Sequence, residues 1–181
     1  PAYGVGPGNV PAYVDRSADL DRAARYIVSS KAFDHSTICA TEQAVIADKP
    51  IAGELADRMR QYGAHFVDEA QAQALRRTLF AADGAINPRT VGKNPQVLAG
   101  MAGIHVPETA RVLVARLGKV GRDEPLSREK LTTVLGWYEA DGWEAGCERS
   151  IELIQFGGRG HTQIIHANDE KIIMAFGLEK P

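Results

Sequence analysis

The sequence predicts an α/β fold, a mostly parallel sheet covered by helices. Two observations carry this expectation. Short apolar runs alternate with amphipathic helical stripes along the chain, with no internal repeat or low-complexity tract. A chain of 181 residues, 44% hydrophobic and 24% charged, is also long enough to bury a core without staples. Crossovers between its strands are expected to be right-handed.

The elements follow in order. Pro11 to Val14 opens as a short strand. Ser17 is a candidate N-cap, and Leu20, Ala23, Ala24, Ile27 and Val28 recur at helical spacing on one face. That helix fades near Lys31, and the polar run Asp34-His35-Ser36-Thr37 leads to Cys39. Gln43 to Ala47 is apolar enough for a buried strand. Asp48 and Pro50 fit the cap and first turn of a helix through Ile51, Leu55, Met59 and Tyr62, which Gly63 ends. Phe66-Val67 reads as a brief strand, and Asp68 to Phe80 as a helix. Ala81 to Lys93, rich in Gly, Pro and Asn, is loop. Asn94-Pro95 starts a helix through Val97, Leu98 and Met101. Arg111 to Arg116 is a strand, Gly118 to Ser127 a loop, and Thr133 to Tyr138 a strand. Asp141 caps a helix to about Ile154. After the glycine turn Gly157-Gly158-Arg159-Gly160, Thr162 to His166 is a strand, and Asn168 caps a last helix ending near Phe176.

Composition removes several classes of function. The formal net charge of −2 gives no field that would draw nucleic acid or an anionic membrane. No apolar run is long enough to span a bilayer. Two distant cysteines give neither a disulfide framework nor a metal spacing, and no His, Cys or acidic cluster predicts a metal site. The first residues lack the basic and apolar regions of a signal peptide, so a cytoplasmic setting is expected. The Gly/Pro-rich start, and a stop soon after Gly177, suggest a segment of a longer polypeptide.

Cys39 is the leading candidate for chemistry. A thiolate is the strongest nucleophile a protein offers near neutral pH, and a polar loop between a helix and a strand can present it. The plain alternative is a small buried hydrophobe, the commonest role of a free cysteine. Cys147 lies inside a helical pattern and is ordinary. His35 and His161 are possible bases for Cys39, each of which could equally serve to hydrogen-bond a loop. Gly4, Gly6 and Gly8 do not make a dinucleotide fingerprint: Asn9 stands where the third glycine belongs, and a strand follows. Glu129 lies in a charge run whose default explanation is solvation. Trp137, Tyr138 and Trp143 read as core and surface aromatics.

Four stretches together resemble the catalytic domain of the CoA-acylating aldehyde dehydrogenases. They are Gly4-Val5-Gly6-Pro7-Gly8-Asn9-Val10-Pro11, Ser17-Ala18-Asp19-Leu20, Phe33 to Gln43, and Phe156-Gly157-Gly158-Arg159-Gly160-His161-Thr162, supported by Pro125 to Leu131. The resemblance implies one catalytic domain over residues 1–181, with the dinucleotide-binding domain outside the chain on both sides. It implies that Cys39 attacks an aldehyde, that hydride passes to NAD or NADP, and that coenzyme A removes the acyl group from a Cys39 thioester. The Cys39 backbone N–H would donate to the oxyanion. Glu129 matches a glutamate that contacts the nicotinamide ribose. Val5 stands where hydrolytic relatives carry a water-activating glutamate, which favours acyl-CoA over free acid as product. The second oxyanion donor would lie outside the chain, so the segment is expected to fold without turning over. The full-length protein is expected to be a homo-oligomer. Two other readings remain: an inert domain kept for assembly, and a cysteine hydrolase using His161.

Overall fold

The computed structural model describes residues 6–179. The strands are β1 (Val10–Val14), β2 (Glu42–Asp48), β3 (Ala64–Phe66), β4 (Val112–Arg116), β5 (Val134–Ala140) and β6 (Ile164–His166). They form one sheet in the order β3-β4-β5-β2-β1-β6. Each neighbouring pair is parallel, with Tyr13 beside Ile46 and Ile165, and Ile46 beside Tyr138. The helices are α1 (Leu20–Ala32), α2 (Ala52–Gln61), α3 (Glu69–Leu79), α4 (Pro95–Ala102), α5 (Gly142–Gly157) and α6 (Glu170–Leu178). The expected α/β class and mostly parallel sheet are what the structure has.

The central strands are buried on both faces, so they read as unbroken apolar runs. Alternate residues feed two separate cores. Val14, Val45, Ala47, Val114, Leu135 and Trp137 pack against α1 and α2 through Ala24, Ile27, Val28, Leu55 and Met59. Tyr13, Ala44, Ile46, Leu113, Ala115 and Tyr138 pack against α3 to α6 through Leu75, Leu79, Leu98, Leu153 and Phe176. Tyr13 stacks on Phe176 at 5.5 Å between ring centroids.

Several boundaries differ from the sequence expectation. Asp19, not Ser17, caps α1, accepting from the Arg22 N–H at 3.0 Å. Ser17 Oγ instead accepts from the backbone N–H groups of Asn168 and Asp169, and Asp169 caps α6. Asp48 makes no side-chain cap. It accepts from Arg16 Nη2 at 3.1 Å and from Gly142 N at 3.1 Å, joining the ends of β1 and β2 to the start of α5. The third strand is Ala64–Phe66, starting two residues before the expected Phe66-Val67, and α5 runs on to Gly157. Asp68, the first residue of the expected helix, is the N-cap of α3, and Gln71 Oε1 accepts in return from the Asp68 N–H at 3.1 Å.

Candidate active site

The chain leaves α1 through a single turn of 3-10 helix, Phe33–Ser36, in which Asp34, His35 and Ser36 have φ of 46°, 48° and 65°. Three successive non-glycine residues in the left-handed region hold the chain in a tight reversal, each costing about 1–3 kcal/mol unless its surroundings compensate. Here they do. Ser36 is fully buried and its hydroxyl meets Thr41 Oγ1 at 2.7 Å. Thr41 Oγ1 also lies 2.9 Å from the Ile38 carbonyl, and the Thr37 hydroxyl donates to Asp34. The loop is thus closed at its base, with Cys39 exposed at its tip. Cys147 is buried on α5.

Beneath the loop, Gln43 is a buried junction. Its Oε1 accepts from Lys31 Nζ at 3.1 Å and from the Lys130 backbone N–H at 3.1 Å. It therefore ties α1, the start of β2 and the segment before β5 together. Lys31 and Lys130 are both fully buried. Burial, followed by the neighbouring Lys130, holds the Lys31 ammonium well below its ordinary pKa. Burial likewise brings Lys130 down to about 7, while Leu126 and Arg128 carbonyls accept from its Nζ at 2.8 and 2.6 Å. Burial raises the Glu42 carboxyl.

Gly8 connects this assembly to Cys39. Its N–H donates to Glu129 Oε1 at 2.9 Å. A Cβ at this position would overlap the Cys39 carbonyl oxygen and would lie 3.2 Å from Glu129 Oε1. Only glycine lets the backbone pass between them. Asn9 fixes the next step: its Nδ2 donates to the Ser127 carbonyl at 2.8 Å and the Leu153 carbonyl at 3.0 Å, and its N–H to the Gly157 carbonyl at 3.2 Å. Gly158 packs on the Asn9 backbone. Glu129 itself is half-buried and borders a cleft of about 470 Å³ with Pro7, Leu131, Phe156 and Gly157.

The structure brings Cys39, Gly8, Glu129 and the Phe156–Gly160 turn to one edge of the sheet. The reason is topological. These segments directly precede β2, β1, β5 and β6, which are neighbours in a parallel sheet, so their starts share one edge. This is the amino edge of the strands, opposite to the carboxyl-edge crevice usual in open α/β sheets. No hydrogen bond joins His35 to Cys39. His161 is half-buried, and its Nδ1 accepts from the Thr162 N–H at 2.9 Å. Among the described residues, no cluster of three His, Cys, Asp or Glu side chains could hold a metal ion, and no helix is long and apolar enough to cross a membrane. Val5 lies outside the described residues. Gln43 and Lys31 escaped the sequence reading. Two polar residues at otherwise apolar positions of a helix and a strand were their only signal.

No family model matches the chain. Over 171 residues it is 40% identical to an aldehyde-alcohol dehydrogenase of Clostridium acetobutylicum, covering 94% of this chain and 20% of that protein. An acetylating aldehyde dehydrogenase from Geobacillus thermoglucosidasius is 44% identical, superposes with a TM-score of 0.97, and matches 100% of this chain with 40% of its own. A Rhodopseudomonas palustris propionaldehyde dehydrogenase, solved with bound CoA and an acylated cysteine, is 26% identical with a TM-score of 0.88, over 98% of this chain and 40% of that one. The chain thus spans well under half the length of these relatives.

Proposed function

The chain belongs to the acylating aldehyde dehydrogenases, and from that premise we propose that it forms the acyl-transfer domain of an enzyme making acyl-CoA from an aldehyde, CoA and NAD(P)+. In this reading the Cys39 thiolate adds to the aldehyde carbon, and the Cys39 backbone N–H donates to the resulting oxyanion. A bound nicotinamide supplies the hydride acceptor, which leaves the acyl group as a thioester on Cys39. CoA thiolate then attacks the thioester carbonyl, and the Cys39 sulfur departs as thiolate. Glu129, anchored on Gly8 N, would hold the nicotinamide ribose through its remaining carboxylate oxygen.

The contact of Gly8 with both Cys39 and Glu129 carries this reading. The Cys39 backbone and the Glu129 carboxylate lie on either side of one glycine, beside an open cleft. The missing Cβ is what lets the Cys39 carbonyl and the Glu129 carboxylate both close on Gly8. The adenosine end of the cofactor would be held by sequence outside this chain.

Half of the reaction runs in reverse without any oxidant. Incubation with acetyl-CoA is expected to move one acetyl group onto the Cys39 sulfur while coenzyme A leaves as the free thiol, a product seen by mass spectrometry and absent in Cys39→Ser. Iodoacetamide is expected to label Cys39 faster than Cys147. A chain whose Cys39 alkylates readily yet never accepts the acetyl group would defeat the proposal and favour the inert assembly domain. Loss of activated-ester hydrolysis in both Cys39→Ser and His161→Ala would instead favour a hydrolase. Two further parts belong to the same proposal: a cytoplasmic setting, and a homo-oligomeric full-length protein. The exposed Met174 and Leu178 on α6 support the second, and sedimentation of the full-length protein tests it.

A further inference from the structure

Two guanidinium groups border the cleft that Glu129 lines, and neither has an acidic partner among the described residues. Arg128 and Arg122 line both this cleft and a second one of about 450 Å³, which also shares Gly84. The Arg128 guanidinium is held in place. Its Nη1 donates to the Gly84 carbonyl at 2.8 Å, and its carbon sits 5.1 Å from the Phe156 ring centroid. Gly84, with φ of +81°, lets the guanidinium lie against the backbone, since a Cβ there would meet Nη1 at 3.0 Å. Arg128 Nε is buried and makes no hydrogen bond. Among the described residues, no carboxylate lies within ion-pair distance of Arg122 or Arg128. The two carboxylates on these walls are turned to backbone: Asp83 Oδ1 accepts from Ala85 N and Glu129 Oε1 from Gly8 N, each at 2.9 Å.

We propose that Arg128, with Arg122, forms an anion subsite beside Glu129 that takes a phosphoryl group. A half-buried guanidinium without a counter-charge is costly to keep, and a stacked, pre-oriented fork loses little freedom when it binds oxygens in pairs. The anchored Arg128 fork, with the exposed Arg122 guanidinium lining the same cleft, matches a dianion better than a single carboxylate. The subsite rests on the acyl-transfer reading only for the source of its phosphoryl group, since NAD(P) and CoA both carry a diphosphate.

Calorimetric titration of this chain with inorganic pyrophosphate at low salt tests the subsite. Pyrophosphate is expected to bind at least ~10-fold more tightly than succinate. Binding should weaken ~10-fold in Arg128→Gln and ~3-fold or more in Arg122→Gln, the scale of one lost charge-assisted hydrogen bond. The melting temperature and the iodoacetamide rate at Cys39 should stay at the native values in Arg122→Gln, which keeps the test open if Arg128→Gln does not fold. NAD+ and CoA, titrated separately, name the source by which of them loses affinity in Arg122→Gln. Equal binding of succinate and pyrophosphate, no binding of either at millimolar concentration, or native affinity in both variants would overturn the proposal. Failure of acetyl transfer to Cys39 with pyrophosphate binding intact would count against the acyl-transfer reading alone.

Discussion

At Gly8 a single methyl group would occupy the place of the Cys39 carbonyl oxygen. Gly8→Ala is therefore expected to abolish acetyl transfer to Cys39 and to lower stability by about 1–3 kcal/mol, as overpacking does. Gly6→Ala, whose Cβ meets nothing within 4 Å, should leave both unchanged; acetyl loading and urea denaturation of the pair check it. Lys130 gives a second prediction. Its ammonium is depressed to about 7 in the folded chain against an ordinary 10.5. Between those values the unfolded chain binds the extra proton, so stability rises with pH from about 7 towards 9.5, by at most about 1.4 kcal/mol per unit. Lys31, depressed in the same direction, adds to the slope. Urea midpoints at pH 7.5 and 9.5 should rise in the native chain and rise less in Lys130→Met. At this scale the sequence was partly legible. The polar neighbours of Cys39 announced an exposed thiol, which is where the structure puts it. Nothing announced that Lys31 turns inward to Gln43, because a lysine in a last helical turn is normally a solvated C-terminal charge.

Among the elements, the apolar stripes located the helices well, and the capping residues less so. Ser17 and Asp19 are both good N-cap types two positions apart, and local chemistry does not separate them. A distant segment does: Ser17 Oγ is engaged by Asn168 and Asp169 at the start of α6. Asp19→Ala is expected to cost about 1 kcal/mol through the lost cap. Ser17→Ala should instead loosen the approach to α6, and amide hydrogen exchange resolved by segment separates the two outcomes. Where α5 crosses β1, a Cβ on Gly146 would run into the Tyr13 ring, which itself stacks on Phe176. Gly146→Ala should lower the melting temperature by several degrees, corresponding to about 1–3 kcal/mol, because a large aromatic locked between two helices has no room to shift.

For the whole molecule, alternation of apolar runs and helical stripes was enough to foresee the parallel sheet. Strand order was not foreseeable, since it depends on which crossover passes which strand. Once the order β5-β2-β1-β6 is known, the meeting of four remote stretches at one edge follows. The neighbourhood of Cys39 is therefore a product of the assembled sheet, since Gly8 N and Glu129 are 121 positions apart and Asn9 and Leu153 144. No local fragment can hold that geometry. A chain in which β1 has not docked between β2 and β6 still carries the sulfur but lacks the cradle around it. Acetyl uptake followed across a urea gradient should then vanish together with global unfolding, while simple alkylation persists, so that one thiol serves as a built-in gauge of whether folding has finished.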